Sequence, residues 1–232
     1  MLFGIDPMYY LFMLPAMIFA IYATIKTHTT FNKYSKVMAS SRITGAQAAQ
    51  RILDARGIRD VVIERVDGFL SDHYDPAARK LRLSPAVYDS PSLSSIGVAC
   101  HEAGHALQHA DNYSPLSLRS MLVPVAQIGT FAPYIFFILG AVLNSLLMFK
   151  IGIIIFSLVV LFTLVTLPVE WNASVRAKRL MVSAGVVSPM EGEDAGRVLN
   201  AAFLTYVAAA VQSVLTLIYY LLRSGILGGR RD

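Results

Sequence analysis

Apolar residues in this chain collect into long runs instead of alternating with polar residues at the spacing of a soluble helix or strand. A helix needs about 20 apolar residues to cross a hydrocarbon core of about 30 Å. Four runs approach or reach this length, at 8–25, 122–143, 151–169 and 201–222. The pattern therefore predicts four transmembrane helices, the first of which starts with the interfacial residues Tyr9 and Tyr10.

The segment between the first two runs has the polarity of an ordinary soluble domain. Thr44 is a favourable N-cap and Gly57 a favourable C-terminal stop for one helix. Three short runs of strand-forming residues follow at 61–66, 69–74 and 80–83. A second helix comes next, and either Ser92 or Ser94 can cap it. We expect the strands to form a short antiparallel sheet between the two helices.

The predicted fold class is an α+β membrane protein with four transmembrane helices and a small domain inserted between the first and second spans. The first span is expected to be a retained anchor, because no basic region precedes it and no small-residue cleavage site follows it. The predicted divisions are an anchor at 1–26, the inserted domain at 27–120, a transmembrane hairpin at 121–169, a polar loop with a helix start after Pro189 at 170–200, and a fourth transmembrane helix with its tail at 201–232.

Composition agrees with this division and adds an orientation. Of the 232 residues 55% are hydrophobic and 15% charged, whereas soluble domains have about 25% charged residues. The net charge of +5 has no basic cluster interleaved with aromatics, so it indicates membrane topology instead of nucleic-acid binding. Most basic residues at the span ends lie in 26–120 and 170–200, which predicts that both segments are cytoplasmic.

The last third of the inserted domain contains the pattern His-Glu-x-x-His, formed by His101, Glu102 and His105. Residues four apart on a helix lie on the same face, so the two imidazoles can bind one zinc ion. Glu102 can then act as the general base for a water that zinc has made acidic. The competing interpretation is a helix with two capped or exposed histidines. The apolar residues around the motif argue against it, because buried polar side chains without a metal would cost desolvation energy.

A catalytic zinc ion needs a third protein ligand and an open position for water. Asp111 stands where a metzincin would place its last ligand, but Gln108 occupies the position of the glycine that this pattern needs. His109 lies one helical turn beyond the second histidine. Glu170 follows a membrane span, where a carboxylate is costly unless it has a function. We favour Glu170 as the third ligand. The alternative is that Glu170 is an interfacial carboxylate that forms an ion pair with Arg176 or Lys178.

Other polar residues are candidates for supporting roles. His73 could stabilise the oxyanion of the reaction, although its neighbours Asp72 and Asp75 could also simply close a turn. Asn172 and Ser174 follow the favoured third ligand and could orient it or a histidine. Further candidates are His109, as a residue that lines the site, and Tyr206, which either faces the site or lies at the membrane interface.

Two further expectations concern the substrate strand and the single cysteine. An exposed strand, for which 80–83 is the candidate, could hold an extended peptide by main-chain pairing, or be an ordinary sheet edge. The order of helix, sheet and metal-binding helix is typical of a zincin. Cys100 excludes an internal disulfide and is expected to be a small packed residue rather than a ligand.

Several segments together resemble the YugP-type bacterial membrane zinc metallopeptidases, which are more distantly similar to HtpX-type gluzincins. They are TGA at 44–46, RILD at 51–54, DHYDP at 72–76, LRLS at 81–84, GVACHEAGHALQHA at 97–110, LPVEWNAS at 167–174 and VLNAAFLTYVAAA at 198–210. The resemblance spans nearly the whole chain. It implies a neutral zinc endopeptidase of the inner membrane, with His101, His105 and Glu170 as ligands and Glu102 as base. Cys100 departs from the small apolar residue expected there.

The sequence thus predicts a multi-pass inner-membrane endopeptidase with one zinc ion per chain and a zincin-like catalytic domain. Its expected partners are the lipid bilayer and a peptide or protein substrate, with unfolded and membrane proteins as candidates, and no nucleic acid. A role in membrane protein quality control is expected only by analogy with HtpX. The alternative is a membrane metal-binding or scaffold protein with a structural or sensory zinc site, which would need four protein ligands.

Overall fold

The computed structural model describes residues 6–68 and 71–225. This part of the chain is mostly helical, with one small three-stranded sheet. In chain order the elements are α1 (Pro7–Tyr34), α2 (Gly45–Ala55), β1 (Val62–Arg65), β2 (His73–Asp75), β3 (Lys80–Leu83), α3 (Pro85–Tyr88), α4 (Leu93–Ala110), α5 (Ser114–Gly129), α6 (Ala132–Val142), α7 (Leu146–Ser183) and α8 (Pro189–Arg223).

Three of the described helices, α1, α7 and α8, are long and apolar enough to cross a membrane. The second predicted span instead falls on two helices, because α5 ends at Gly129 and α6 begins at Ala132 with a bend of 40° between them. Pro133 lies in the first turn of α6, where proline is tolerated but cannot extend a preceding helix. The structure therefore gives three candidate spans, or four if the bent pair is one broken span.

The expected polar loop at 170–200 is wrong for most of its length. Helix α7 continues to Ser183 and α8 begins at Pro189, so only a short connection separates them. The start of a helix at Pro189 is confirmed, with Glu191 in its first turn. Helix α7 continues because Ala173, Ala177 and Leu180 repeat at helical spacing and are buried. Burial of this apolar face stabilises the helix, although many other residues of the segment are polar.

The described chain divides into two compact units. One comprises Ala23–Ser117 and Pro168–Thr205, and it has a continuous core that includes Ile52, Leu81 and Ile96. The other comprises Leu118–Leu167 and the described residues of Met1–Tyr22 and Tyr206–Asp232. Its core is aromatic and aliphatic, with Phe137 stacked on Tyr220 at a ring-centroid distance of 3.9 Å.

The predicted helix caps of the first unit are confirmed. The Thr44 hydroxyl accepts a hydrogen bond from the Gln47 backbone N–H, and the Gln47 side chain accepts one from the Thr44 N–H, which is a complete capping box. Gly57 follows the end of α2 with a φ of +70°, a conformation that glycine adopts without steric cost. Ser92, rather than Ser94, caps α4 through the Ser95 N–H.

The sheet is mixed, not antiparallel as expected, and its strand order is β1-β3-β2. Strand β3 pairs parallel with β1 and antiparallel with β2. Arg82 of β3 forms ion pairs with Glu64 of β1 at 2.7 Å and with Asp75 of β2 at 2.9 Å. These two ion pairs, one with each neighbouring strand, agree with the central position of β3.

This strand order also overturns the expectation that 80–83 is an exposed strand for a peptide. Strand β3 is hydrogen-bonded on both sides, so the outer edges of the described sheet belong to β1 and β2. Leu81 and Leu83 of β3 are fully buried, as suits a central strand. Residues 69 and 70 of the second predicted strand lie outside the described residues.

Helix α4 approaches α7 very closely at Gly104. A Cβ atom at this position would lie 2.7 Å from the Ala173 carbonyl oxygen, well inside van der Waals contact. The nearest atoms belong to the backbone of α7, so no side-chain rotation could relieve the clash. The absence of a side chain at Gly104 therefore sets the spacing of these two helices.

We expect Gly104→Ala to lower the thermal unfolding temperature of the detergent-solubilised protein, because overpacking of this kind costs about 1–3 kcal/mol. The control is Gly97→Ala on the same helix, where the nearest atom to a new Cβ would be 3.3 Å away. The gain in helix propensity of about 1 kcal/mol from glycine to alanine is common to both variants, so the difference between them reports the steric cost. Equal unfolding temperatures for the two variants would contradict the close contact. The fluorescence of Trp171 can report the transition.

Candidate metal centre

Two helices bring three potential metal ligands together. His101 and His105 lie on successive turns of α4, and Glu170 faces them from α7. Glu170 Oε2 lies 3.1 Å from His101 Nε2 and 3.5 Å from His105 Nε2. One potential ligand atom from each of the three residues can be chosen so that all lie within 4.8 Å of one another. The cluster could therefore hold a metal ion.

The spacing of these atoms fits zinc. Nitrogen and oxygen ligands lie about 2.0–2.2 Å from a zinc ion, so two such ligands at the tetrahedral angle are about 3.3–3.6 Å apart. The distances from Glu170 Oε2 to the two histidine nitrogens are close to this range. Two imidazoles with one carboxylate is also a donor set that catalytic zinc sites use. The residues present thus fit a zinc ion with one position left for another ligand.

The cluster is largely shielded from solvent. Glu170 is 1% exposed and His105 is 7% exposed. Burial lowers the pKa of His105, but the hydrogen bond and negative charge of Glu170, together with the charge of Glu102 and the hydrogen bond with Gln108, raise it by more, so the net shift is upward. The buried carboxylate therefore makes the site attractive to cations, and a metal ion there would compete with protons on the histidines.

The orientation of His105 is set by a chain of hydrogen bonds through Gln108. The Gln108 amide nitrogen donates to the Val169 carbonyl oxygen at 2.8 Å and to Asn172 Oδ1 at 3.0 Å. A backbone carbonyl can only accept, so the amide group has one possible orientation. Gln108 Oε1 is then an acceptor, and His105 Nδ1, at 2.9 Å, must be the donor. The lone pair of His105 therefore lies on Nε2, the atom that faces Glu170.

His101 has a similar arrangement with a different partner. Its Nδ1 lies 3.1 Å from the Ser174 hydroxyl oxygen, on the turn of α7 after Glu170. A proton on Nδ1 that is donated to Ser174 leaves the lone pair on Nε2. Both histidines can thus direct an Nε2 lone pair at the same point, which is the arrangement of metal-ligating histidines with outer hydrogen-bond partners.

The sequence matches the family described as "Putative neutral zinc metallopeptidase" over residues 9–225. The chain belongs to this family. It is 48% identical over 201 residues to the "Putative membrane protease YugP" of Bacillus subtilis strain 168. The match covers 87% of this chain and 89% of that protein. No solved structure matches the chain.

For this member of the zinc metallopeptidase family, the structure separates the three candidates for the third ligand. Asp111 is an exposed C-cap residue that pairs with Arg176 and lies 3.7 Å from Arg56. His109 directs its Nδ1 at the Tyr74 hydroxyl, 2.9 Å away, and so links α4 to β2. Among the described residues Glu170 is the carboxylate that joins the two histidines.

The remaining predicted site residues lie in different surroundings. Asn172 contacts Gln108 and accepts a hydrogen bond from Arg176 at 2.7 Å, so it belongs to the chain of contacts behind His105. His73 is exposed on β2, where it contacts the Ser71 carbonyl oxygen and Arg82. Tyr206 lies on α8 within the second compact unit. The roles of His73 and Tyr206 in a reaction stay predictions.

Glu102 and Cys100 flank His101 in sequence but have different environments. Glu102 is 9% exposed, and its carboxylate has no hydrogen bond with any residue that the structure describes. Cys100 is fully buried within the core of its unit, and burial raises the pKa of its thiol well above the usual range. Cys100 is therefore a packed residue, as expected, and is not part of the ligand cluster.

Gln108 is the polar residue at this centre that the sequence alone did not assign to it. The available signal was its position, three residues after His105 and therefore on the same side of the helix. It is completely buried, which is unusual for glutamine. A buried amide must find partners for its polar atoms, and here each has one.

We expect Gln108→Leu to weaken zinc binding by about 10–100-fold, the usual effect of losing an outer partner of a ligand histidine. Gln108→Glu is the comparison variant, because it keeps an oxygen that can accept from His105 Nδ1 and its protonated form can still donate to the Val169 carbonyl oxygen. Competition between the purified protein and a chelator measures both affinities. An unchanged affinity in Gln108→Leu would show that the orientation of His105 does not depend on this contact.

Proposed function

We propose that this chain is an integral membrane zinc endopeptidase of the gluzincin type, in which His101, His105 and Glu170 hold one zinc ion. The observation that supports the proposal most directly is the convergence of two imidazoles and one buried carboxylate at zinc-ligand spacing. Membership of a zinc metallopeptidase family supports the choice of metal.

Zinc at this site would supply Lewis acidity, since it lowers the pKa of a bound water from about 15.7 to about 7 and polarises a carbonyl group. The protein supplies the proton transfers. The oxygen of the attacking water forms a bond to the peptide carbonyl carbon, and Glu102 accepts a proton from this water. The C–N bond then breaks, and Glu102 returns the proton to the departing amine nitrogen.

The surroundings of Glu102 suit this role. Since its carboxylate has no hydrogen bond with the described residues, both oxygens are available to a water molecule. Its position next to His101 on α4 places it beside the ligand cluster. A second function is a structural or sensory metal site, which requires a fourth protein ligand. His109 and Asp111, the candidates for that ligand, are engaged by Tyr74 and Arg176, which supports an open coordination position and hence the enzyme.

We place the site at the cytoplasmic face of the inner membrane of a multi-pass protein. The segments 26–120 and 170–200 contain most of the basic residues that flank the predicted spans. Most of both segments belongs to one compact unit, which supports their location on the same side of the membrane. The proposed substrates are peptides and proteins, with unfolded and membrane proteins as the first candidates for a role in quality control.

We expect Glu102→Gln to keep its zinc ion and to lose peptide cleavage by about 10²–10⁴-fold, the usual contribution of a general base. Cleavage of a quenched peptide library and of unfolded casein measures activity, and elemental analysis measures zinc. A variant with full zinc content and wild-type cleavage would refute the assignment of Glu102 as base.

The zinc content of ligand variants tests the assignment of the three ligands separately. We expect about one zinc ion per chain in the wild type, a loss of zinc in Glu170→Ala, and retention in Asp111→Ala, since the first change removes a ligand and the second removes only a surface ion pair. Asp111→Ala is the matched control, because it also deletes one carboxylate near the end of α4. Loss of zinc in Asp111→Ala with retention in Glu170→Ala would reverse the ligand assignment.

A further inference from the structure

A cavity of about 410 Å³ lies between α1 and α8, within the compact unit that contains the metal centre. One face of each helix lines it, with residues at helical spacing. The lining residues are Lys26, Thr30, Lys33, Tyr34, Arg197, Asn200, Ala201 and Leu204. None of them belongs to the ligand cluster or to its hydrogen-bond partners, so the cavity is a separate feature.

Direct contacts between the two helices fix the shape of this cavity. The Thr27 hydroxyl donates to the Ala201 carbonyl oxygen at 2.9 Å. Seven residues further along α1, the buried Tyr34 hydroxyl donates to Asp194 Oδ1 at 2.9 Å and accepts from Arg197 at 3.1 Å. Later residues of α1 thus meet earlier residues of α8, so the helices run antiparallel along the cavity.

The cavity is basic. Arg197 is balanced by Asp194, with which it forms an ion pair at 3.0 Å. Lys26 and Lys33 form no ion pair with any residue in the described part of the chain, although the Lys33 ammonium lies 5.1 Å from the centre of the Tyr34 ring. The two lysines therefore leave positive charge on one wall, beside the hydroxyl group of Thr30.

The position of the cavity along both helices coincides with the end of their apolar segments. The apolar run of α1 ends at residue 25, directly before Lys26, and that of α8 begins at Ala201. Leu204 and Ala201 therefore lie toward the predicted bilayer, whereas Lys33 and Arg197 lie away from it. A ligand that fills the cavity would meet Lys26 and apolar side chains at the bilayer end, and Lys33 and Arg197 at the other end.

We propose that this cavity binds the headgroup of an anionic phospholipid, such as phosphatidylglycerol. The phosphate group would lie between Lys26 and Lys33, with the hydroxyl group of Thr30 and the amide of Asn200 as hydrogen-bond donors. The acyl chains would leave past Leu204 into the bilayer. Basic pockets at the ends of membrane helices are suited to such headgroups, because anionic lipids supply both the charge and the apolar anchor.

The test is retention of lipid by the purified full-length protein, measured by native mass spectrometry from mixed micelles with equal phosphatidylglycerol and phosphatidylcholine. We expect preferential retention of about one phosphatidylglycerol per chain. Lys26→Gln combined with Lys33→Gln should reduce the preference by about fivefold or more for each lysine removed, as expected for basic residues near an anionic surface.

Lys36→Gln is the matched control, because Lys36 is an exposed lysine of the segment just after α1 that does not line the cavity. It should keep the wild-type preference.

Three results would overturn the proposal: no preference in the wild type, the same loss in Lys36→Gln as in the double variant, or displacement of the lipid by millimolar glycerol phosphate. The last result would indicate a site for soluble phosphates. Circular dichroism shows whether the double variant is folded, and Lys26→Arg, which keeps the charge, should keep the preference.

Discussion

The close approach of α4 to α7 at Gly104 is the constraint on which the metal centre depends. Glu170 and the two histidines belong to different helices, and they meet only because a backbone of α7 can lie where a side chain of α4 would otherwise be. The short distance also lets Gln108 and Ser174 reach across the interface. One packing contact thus determines both the ligand positions and the hydrogen bonds that orient them.

The candidate metal centre places a carboxylate and two imidazoles, which are well solvated in water, inside an apolar core. A buried carboxylate is expensive unless it is matched by cations or donors, and the imidazoles on the facing helix lie at hydrogen-bond distance from it. The apolar core around α4 keeps these groups in a medium where their attraction is strong. Residues of α2, α4, α7 and α8 and of the small mixed sheet supply that core together.

Much of this arrangement was predictable from local sequence patterns. The cap at Thr44, the glycine stop at Gly57 and the histidine spacing on α4 depend on residues within a few positions of one another, and all are found in the structure. Glu170 is also predictable, because a carboxylate beside a predicted membrane span is costly unless it has a function. The parallel pairing of β1 and β3 and the continuation of α7 depend on contacts between distant segments, which periodicity does not report. The role of Gln108 does not follow from local patterns, because two of its partners, Val169 and Asn172, are on another helix.

The hydrogen-bond chain behind His105 divides at Gln108, and one of its two branches ends at a peptide group, the carbonyl of Val169. Every substitution at position 169 other than those that break the helix leaves that carbonyl in place. The backbone of the helix that provides Glu170 therefore also helps to determine, through Gln108, which nitrogen of His105 carries the proton. Such a site resists mutation at this point, and it responds instead to any movement of the helix as a whole.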